Sequence, residues 1–139
     1  MFNLFKQKPG EPKTLGAIGE EIAQKEYEKK GFKIIAKNEF NKKGKRLGEI
    51  DFIAKNSQVL AFVEVKTRNS EKGNFGGPLE AVDFFKQKKI LKAVKSYLLK
   101  HPEVADLRPQ IDVCAIILPD IDKAPQSVKI YMNAVEDWN

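Results

Sequence analysis

Two periodicities organise the apolar residues of this chain. Leu15, Ile18, Ile22, Ala23 and Tyr27 recur at intervals of three and four, the spacing that lines one face of a helix. Thr14 stands where an N-cap belongs, Lys29 and Lys30 suit the negative end, and Gly31 can close it, so a helix is expected from about Leu15 to Lys30. Short apolar runs then predict strands at Phe32 to Ala36, Ile50 to Ala54 and Val59 to Thr67, with the turn residues Asn56 and Ser57 joining the last two. Pro78 fits the first turn of a second helix that runs to about Leu99, ahead of Pro102. Val82, Phe85, Ile90, Ala93, Val94, Tyr97 and Leu98 form its core side. Ile111 to Leu118 is apolar on both faces and predicts a central strand, and Val128 to Met132 a fifth. The order α-β-β-β-α-β-β implies an α/β fold with a mixed sheet covered by helices on both sides. Residues 1–13, with Lys6, Lys8, Lys13, Pro9, Gly10 and Pro12, read as a flexible basic arm ahead of one domain over 14–139.

Charges interrupt these patterns at a few positions. In the first helix Glu21 shares a face with Lys25 and Glu28, a solvated stripe. Glu20 precedes Ala23 by three residues and Tyr27 by seven, so it borders the buried side. Glu49 and Asp51 lie in Gly48-Glu-Ile-Asp-Phe-Ile53, and Glu64 and Lys66 in Phe62-Val-Glu-Val-Lys66. An antiparallel hairpin turning near residues 56–58 brings Asp51 opposite residues 62–64, where cross-strand neighbours lie about 5 Å apart. Glu64 and Lys66, two residues apart, project from one face. Asp51, Glu64 and Lys66 can therefore converge at one end of the hairpin.

Adjacent carboxylates repel, and their burial costs several kcal/mol unless something compensates. A divalent cation does so, and Mg²⁺ prefers carboxylate oxygens, a backbone carbonyl and waters. Lys66 beside it can orient or help deprotonate an attacking water, or stabilise charge in the transition state. The pattern suggests metal-assisted hydrolysis of a phosphodiester. Taken bare, Asp-x12-Glu-x-Lys is better met by a Glu64–Lys66 surface pair on an edge strand, with Asp51 in a turn, because short motifs recur by chance. The apolar neighbours Ile50, Phe52, Ile53, Val59, Leu60, Phe62, Val63 and Val65 weigh against simply solvated strands.

Composition narrows the setting. The 139 residues are 42% hydrophobic and 32% charged, which describes a folded chain rather than a disordered one. The longest apolar run, Val113 to Leu118, is far too short for a transmembrane helix, and the first residues do not make a secretory signal. Cys114, the only cysteine, reads as a small buried hydrophobe in a reducing compartment. With His101 the only histidine, a structural zinc site is excluded and any metal must be held by oxygen. The net charge of +6 favours a polyanionic partner. Lys86, Lys88, Lys92 and Lys95 of the second helix, with Arg46 and Arg68 flanking the acidic cluster, can contact phosphates without reading sequence. For the helix lysines an ordinary solvated face is the favoured reading, while Arg46 and Arg68 stand closer to the acidic cluster.

The chain resembles the YraN family (UPF0102), predicted endonuclease-like proteins of bacteria. The matching stretches are Gly19-Glu20 with Ala23, Gly31-Phe32, Lys37-Asn38, Gly48-Glu-Ile-Asp51 and Phe62-Val-Glu-Val-Lys-Thr-Arg68. Leu79-Glu-Ala-Val-Asp83 followed by Lys86, and Ile111-Asp-Val113, continue the match, which covers roughly residues 14–135. The spacing is also similar to that of archaeal Holliday-junction resolvases. The resemblance implies a three-layer restriction-endonuclease-like fold, with an α-β-β-β-α-β core. It gives catalytic roles to Glu20, Asp51, Glu64 and Lys66. Mg²⁺ or Mn²⁺ would be held by Asp51, Glu64 and the Val65 carbonyl, with Glu20 acting through water. DNA, structured or branched, is the implied substrate in the cytoplasm, no membrane is involved, and a homodimer follows by analogy. The family usually shows Arg-Phe-Asp before the fourth strand, whereas this chain has Gln110-Ile-Asp112 with Arg108 upstream, so Asp112 receives no role. Two readings compete with the nuclease: a nucleic-acid-binding module of the same fold with little or no activity, and a basic adaptor for an acidic protein.

Overall fold

In the computed structural model, residues 13–38, 50–70 and 84–135 are described. Helix α1 spans Leu15–Lys29 and is followed by strands β1 (Lys33–Lys37), β2 (Phe52–Lys55) and β3 (Val59–Arg68). Helix α2 is described over Phe84–Lys100, and a 3₁₀ turn at Pro102–Val104 leads into β4 (Arg108–Ile117) and β5 (Ser127–Tyr131). The predicted element order therefore holds, with ends shifted by a few residues. The expected start of α2 at Pro78, like most of the basic arm, lies outside the described residues.

Local chemistry accounts for the helix ends. The Thr14 hydroxyl oxygen accepts the Ala17 N–H at 3.1 Å, as an N-cap should. Beyond the C-cap Lys30, Gly31 has φ of +90°, a left-handed turn that a residue with a Cβ adopts only under strain.

The five strands lie in sequence order, β1-β2-β3-β4-β5, antiparallel except for β3 and β4. All ten residues of β3 pair in parallel with β4, from Val59 opposite Arg108 to Arg68 opposite Ile117. The crossover that parallel pairing requires carries α2. Alternation along the strands then sorts the core into two halves. Ala23 and Tyr27 of α1 pack with Phe52, Ala61, Val63, Cys114 and Ile116 on one face. Ile90 and Val94 of α2 pack with Ile53, Leu60, Phe62, Ile111 and Val113 on the other. The result is a three-layer α/β architecture whose interior strand β4, between β3 and β5, is buried from Gln110 to Ile117. No helix among the described residues is long and apolar enough to cross a membrane.

Candidate active site

The acidic cluster forms where β2 begins beside β3. Phe52 pairs with Val63, so Asp51 precedes the regular ladder and is held by its backbone: its N–H donates to Val63 O and its carbonyl accepts the Asn38 N–H, each at 2.9 Å. The side chain continues the ladder. Asp51 Oδ2 accepts the Val65 N–H at 2.7 Å, in the place where a strand carbonyl would stand. Strand geometry points the Val65 carbonyl toward the same edge as its N–H. Asp51 is thus anchored on the backbone of the residue that separates Glu64 from Lys66.

Glu64 and Lys66 share the alternation of Phe62 and lie on the α2 side of the sheet. Glu64 is only 3% exposed, and Lys66 Nζ lies 3.3 Å from its Oε1. Such a buried pair can supply a localised positive charge without leaving the carboxylate uncompensated.

Glu20 approaches from α1, on the opposite side of the sheet from Glu64. The helical angle read from the sequence is borne out, since Glu20 is buried while Glu21 reaches outward to an ion pair with Lys13. Burial, and secondarily the negative charge of Asp51, push the Glu20 carboxyl up to about 8. Its close approach depends on Gly19. A Cβ at that position would overlap the Thr67 hydroxyl and lie 2.9 Å from Thr67 Cβ.

The structure therefore joins Glu20 to Asp51, Asp51 to the Val65 backbone, and Glu64 to Lys66. Among the described residues no three Asp, Glu, His or Cys side chains converge to hold one ion. The donor chemistry nevertheless fits a hard divalent cation: all donors are oxygens, and a desolvated carboxyl at Glu20 beside the negative Asp51 is what such an ion relieves. Arg46 lies outside the described residues, as does the Lys86 side chain. Arg68 donates to the Thr67 carbonyl at 3.0 Å. Lys88, Lys92 and Lys95 are exposed along one stripe of α2.

Sequence reasoning missed a second polar centre. Asp112, 1% exposed, accepts the Tyr27 hydroxyl at 2.6 Å, the Gln110 amide at 3.0 and 3.1 Å, and the Asn133 N–H at 3.1 Å. Burial raises its carboxyl above the usual range, while these donors pull the other way. The departure at Gln110 therefore has a local purpose, because its amide satisfies a carboxylate buried against α1. The one available signal was an aspartate inside an apolar strand. Cys114 is buried and free, its thiol raised to about 12 chiefly by burial, so it stays protonated at neutral pH. His101 stacks on Tyr97 at 3.8 Å and meets its carbonyl at 2.9 Å, a structural arrangement.

Residues 19–116 match the model of a family described as "Uncharacterised protein family UPF0102". This chain belongs to that family. A UPF0102 protein of Caldanaerobacter subterraneus subsp. tengcongensis is 42% identical over 122 residues, covering 88% of this chain and 94% of the relative. One from Geobacter metallireducens is 37% identical over 122 residues, 85% of this chain and 94% of the relative. One from Clostridium botulinum is 39% identical over 124 residues, 89% and 95% respectively. The match to UPF0102 begins at Gly19, next to Glu20, and takes in β1, β2, β3 and most of β4.

Proposed function

We propose that this UPF0102 protein is a divalent-metal-dependent endonuclease that hydrolyses phosphodiester bonds of structured or branched DNA in the cytoplasm. The observation that carries the reading is the anchoring of Asp51 on the Val65 N–H, between Glu64 and Lys66. Glu20 sits beside that aspartate in a desolvated position. Asp51, Glu64 and the Val65 carbonyl would hold Mg²⁺ or Mn²⁺, with Glu20 acting through water. Such an ion would supply polarisation of a phosphoryl oxygen and a lowered pKa for its bound water. Lys66, fixed by Glu64, meets the charge that develops on the phosphate. Glu20 keeps its proton at neutral pH while no cation is near, and would release it when a nearby positive charge lowers its pKa. Arg46, Arg68 and the lysines of α2 would supply phosphate contacts that orient the duplex. A two-fold DNA junction would be met by a homodimer.

A second reading, a DNA-binding module without catalysis, draws on the lack of three converging acidic side chains among the described residues. Incubation with Mg²⁺ or Mn²⁺ against duplex, single-stranded, flap and four-way DNA separates the two. The nuclease reading expects products that vanish with a chelator and with Glu64→Ala. Salt-sensitive binding without any cleavage would leave the binding module. Neither binding nor cleavage would remove nucleic acid from the account.

A further inference from the structure

The contact between Gly19 and Thr67 has no part in the chemistry above, yet it sits one residue from each side of it. Gly19 directly precedes Glu20, and Thr67 directly follows Lys66. Thr67 Oγ1 is buried with no hydrogen-bond partner among the described residues, and it lies against the Gly19 backbone. A Cβ built on Gly19 would overlap that oxygen and lie 2.9 Å from Thr67 Cβ and 3.0 Å from Cγ2. Carbon pairs pack best at about 3.5–4.0 Å. Rotation of Thr67 cannot make the room, because a β-branched side chain fills two of three staggered positions and its own Cβ is already too near. Any side chain at position 19 must therefore lift α1 from β3 by about 1 Å. Gly16, on the same helix, is the opposite case, since nothing lies within 4 Å of a Cβ there.

We infer that Gly19 and Thr67 are positioning residues: their close packing sets the depth of α1 on β3 and thereby holds Glu20 beside Asp51. The inference deepens the nuclease reading, but its geometric half stands without it. A glycine inside a helix is otherwise unfavourable relative to alanine, and here the helix accepts it at a position where a methyl group has no space.

The test compares crystal structures and thermal midpoints of the full-length wild type, Gly16→Ala, Gly19→Ala and Gly19→Ala/Thr67→Gly. Gly16→Ala should raise the midpoint and leave α1 in place. Gly19→Ala should lower the midpoint and move α1 outward by about 1 Å, and Thr67→Gly in that background should return the helix to its seat. If Gly19→Ala proves too unstable to crystallise, the double variant and the Gly16→Ala control still decide the matter through their midpoints. An unmoved α1 in Gly19→Ala, or a midpoint raised as much as by Gly16→Ala, overturns the inference. Cleavage supplies the functional half. Gly19→Ala should lower kcat by up to about a hundredfold with little change in KM, as expected when a group at the site is misplaced by about an ångström, and should add nothing in a Glu20→Ala background. Additive losses would show that Gly19 does not act through Glu20. A wild type that cuts no DNA would sink the nuclease reading, while the structures and midpoints would still decide the packing claim.

Discussion

Replacing Glu20 by Gln keeps the shape of the side chain and removes its charge, so the comparison isolates the electrostatic cost of seating a carboxylate beside Asp51. The Glu20 carboxyl titrates at about 8 in the folded protein against 4.5 for an ordinary glutamate. Between those values the native state holds a proton that the unfolded chain has released, and stability must fall as pH rises. Each unit corresponds to about 1.36 kcal/mol. At pH 7 the interval is 7 − 4.5 = 2.5 units, a penalty of at most about 3.4 kcal/mol; the penalty is absent below pH 4.5 and stops growing above pH 8. A glutamine escapes it, though its amide carries a constant desolvation cost at every pH. The slope against pH, rather than the absolute difference, is therefore the quantity to read. Urea unfolding in chelator, from pH 4 to pH 9, should show the stability of wild type relative to Glu20→Gln declining steadily through this window. Saturating Mg²⁺ should flatten the decline, because a nearby cation brings the folded titration back down. A difference that stays level from pH 5 to pH 9 would refute both the burial of Glu20 and its coupling to Asp51.

Three further outcomes are expected. Asp51→Ala and Glu64→Ala should each reduce metal-dependent cleavage by about a hundredfold or more. Asp51→Ala should change metal-free stability by less than about 1 kcal/mol at pH 7, because losing the bond to Val65 N–H offsets relief at Glu20; thermal melts beside the cleavage assay check both. Tyr27→Phe should cost about 1.5–3 kcal/mol in urea unfolding, since it takes a donor from the buried Asp112 carboxylate, and should leave cleavage per folded molecule unchanged. Replacing Lys88, Lys92 and Lys95 by Gln should shallow the log–log salt dependence of DNA binding by about 0.9 for each lysine that neutralises a phosphate; an unchanged slope would return this stripe to an ordinary solvated face.

The parts of the fold visible in the sequence were those governed by local rules. Helix α1 carried a cap at Thr14, a stop at Gly31 and an apolar stripe that fixed the bearing of Glu20. The β2–β3 hairpin followed from two apolar runs around Asn56, whose side chain accepts the N–H groups of Gln58 and Val59. What stayed hidden depended on contacts between distant segments. Nothing in the sequence near Tyr27 announces that its hydroxyl will meet Asp112, 85 positions away. The depth of α1 on β3 was equally invisible, because it turns on the missing side chain of Gly19 and the space it leaves for Thr67. Residue spacing suggested that Asp51 and Glu64 converge. It could not reveal that Asp51 spends one oxygen on the backbone, nor that Glu20 and Glu64 come from opposite sides of the sheet.

The parallel pairing of β3 with β4 also bears on how the protein is made. Glu64 pairs with Val113 across that ladder, and β4 is separated from β3 by the whole of α2, the helix on the Glu64 face of the sheet. On a ribosome, the antiparallel β1-β2-β3 meander can form while β4 is still unsynthesised, since its contacts are local and the long loop closes only afterwards. During that interval Asp51 already has the Val65 N–H within reach, whereas Glu64 and Lys66 remain in water. Glu64 would thus stay hydrated until α2 and β4 dock. Its desolvation would be among the last steps of folding, and a nascent chain would carry the Asp51 anchor well before it carried the complete cluster.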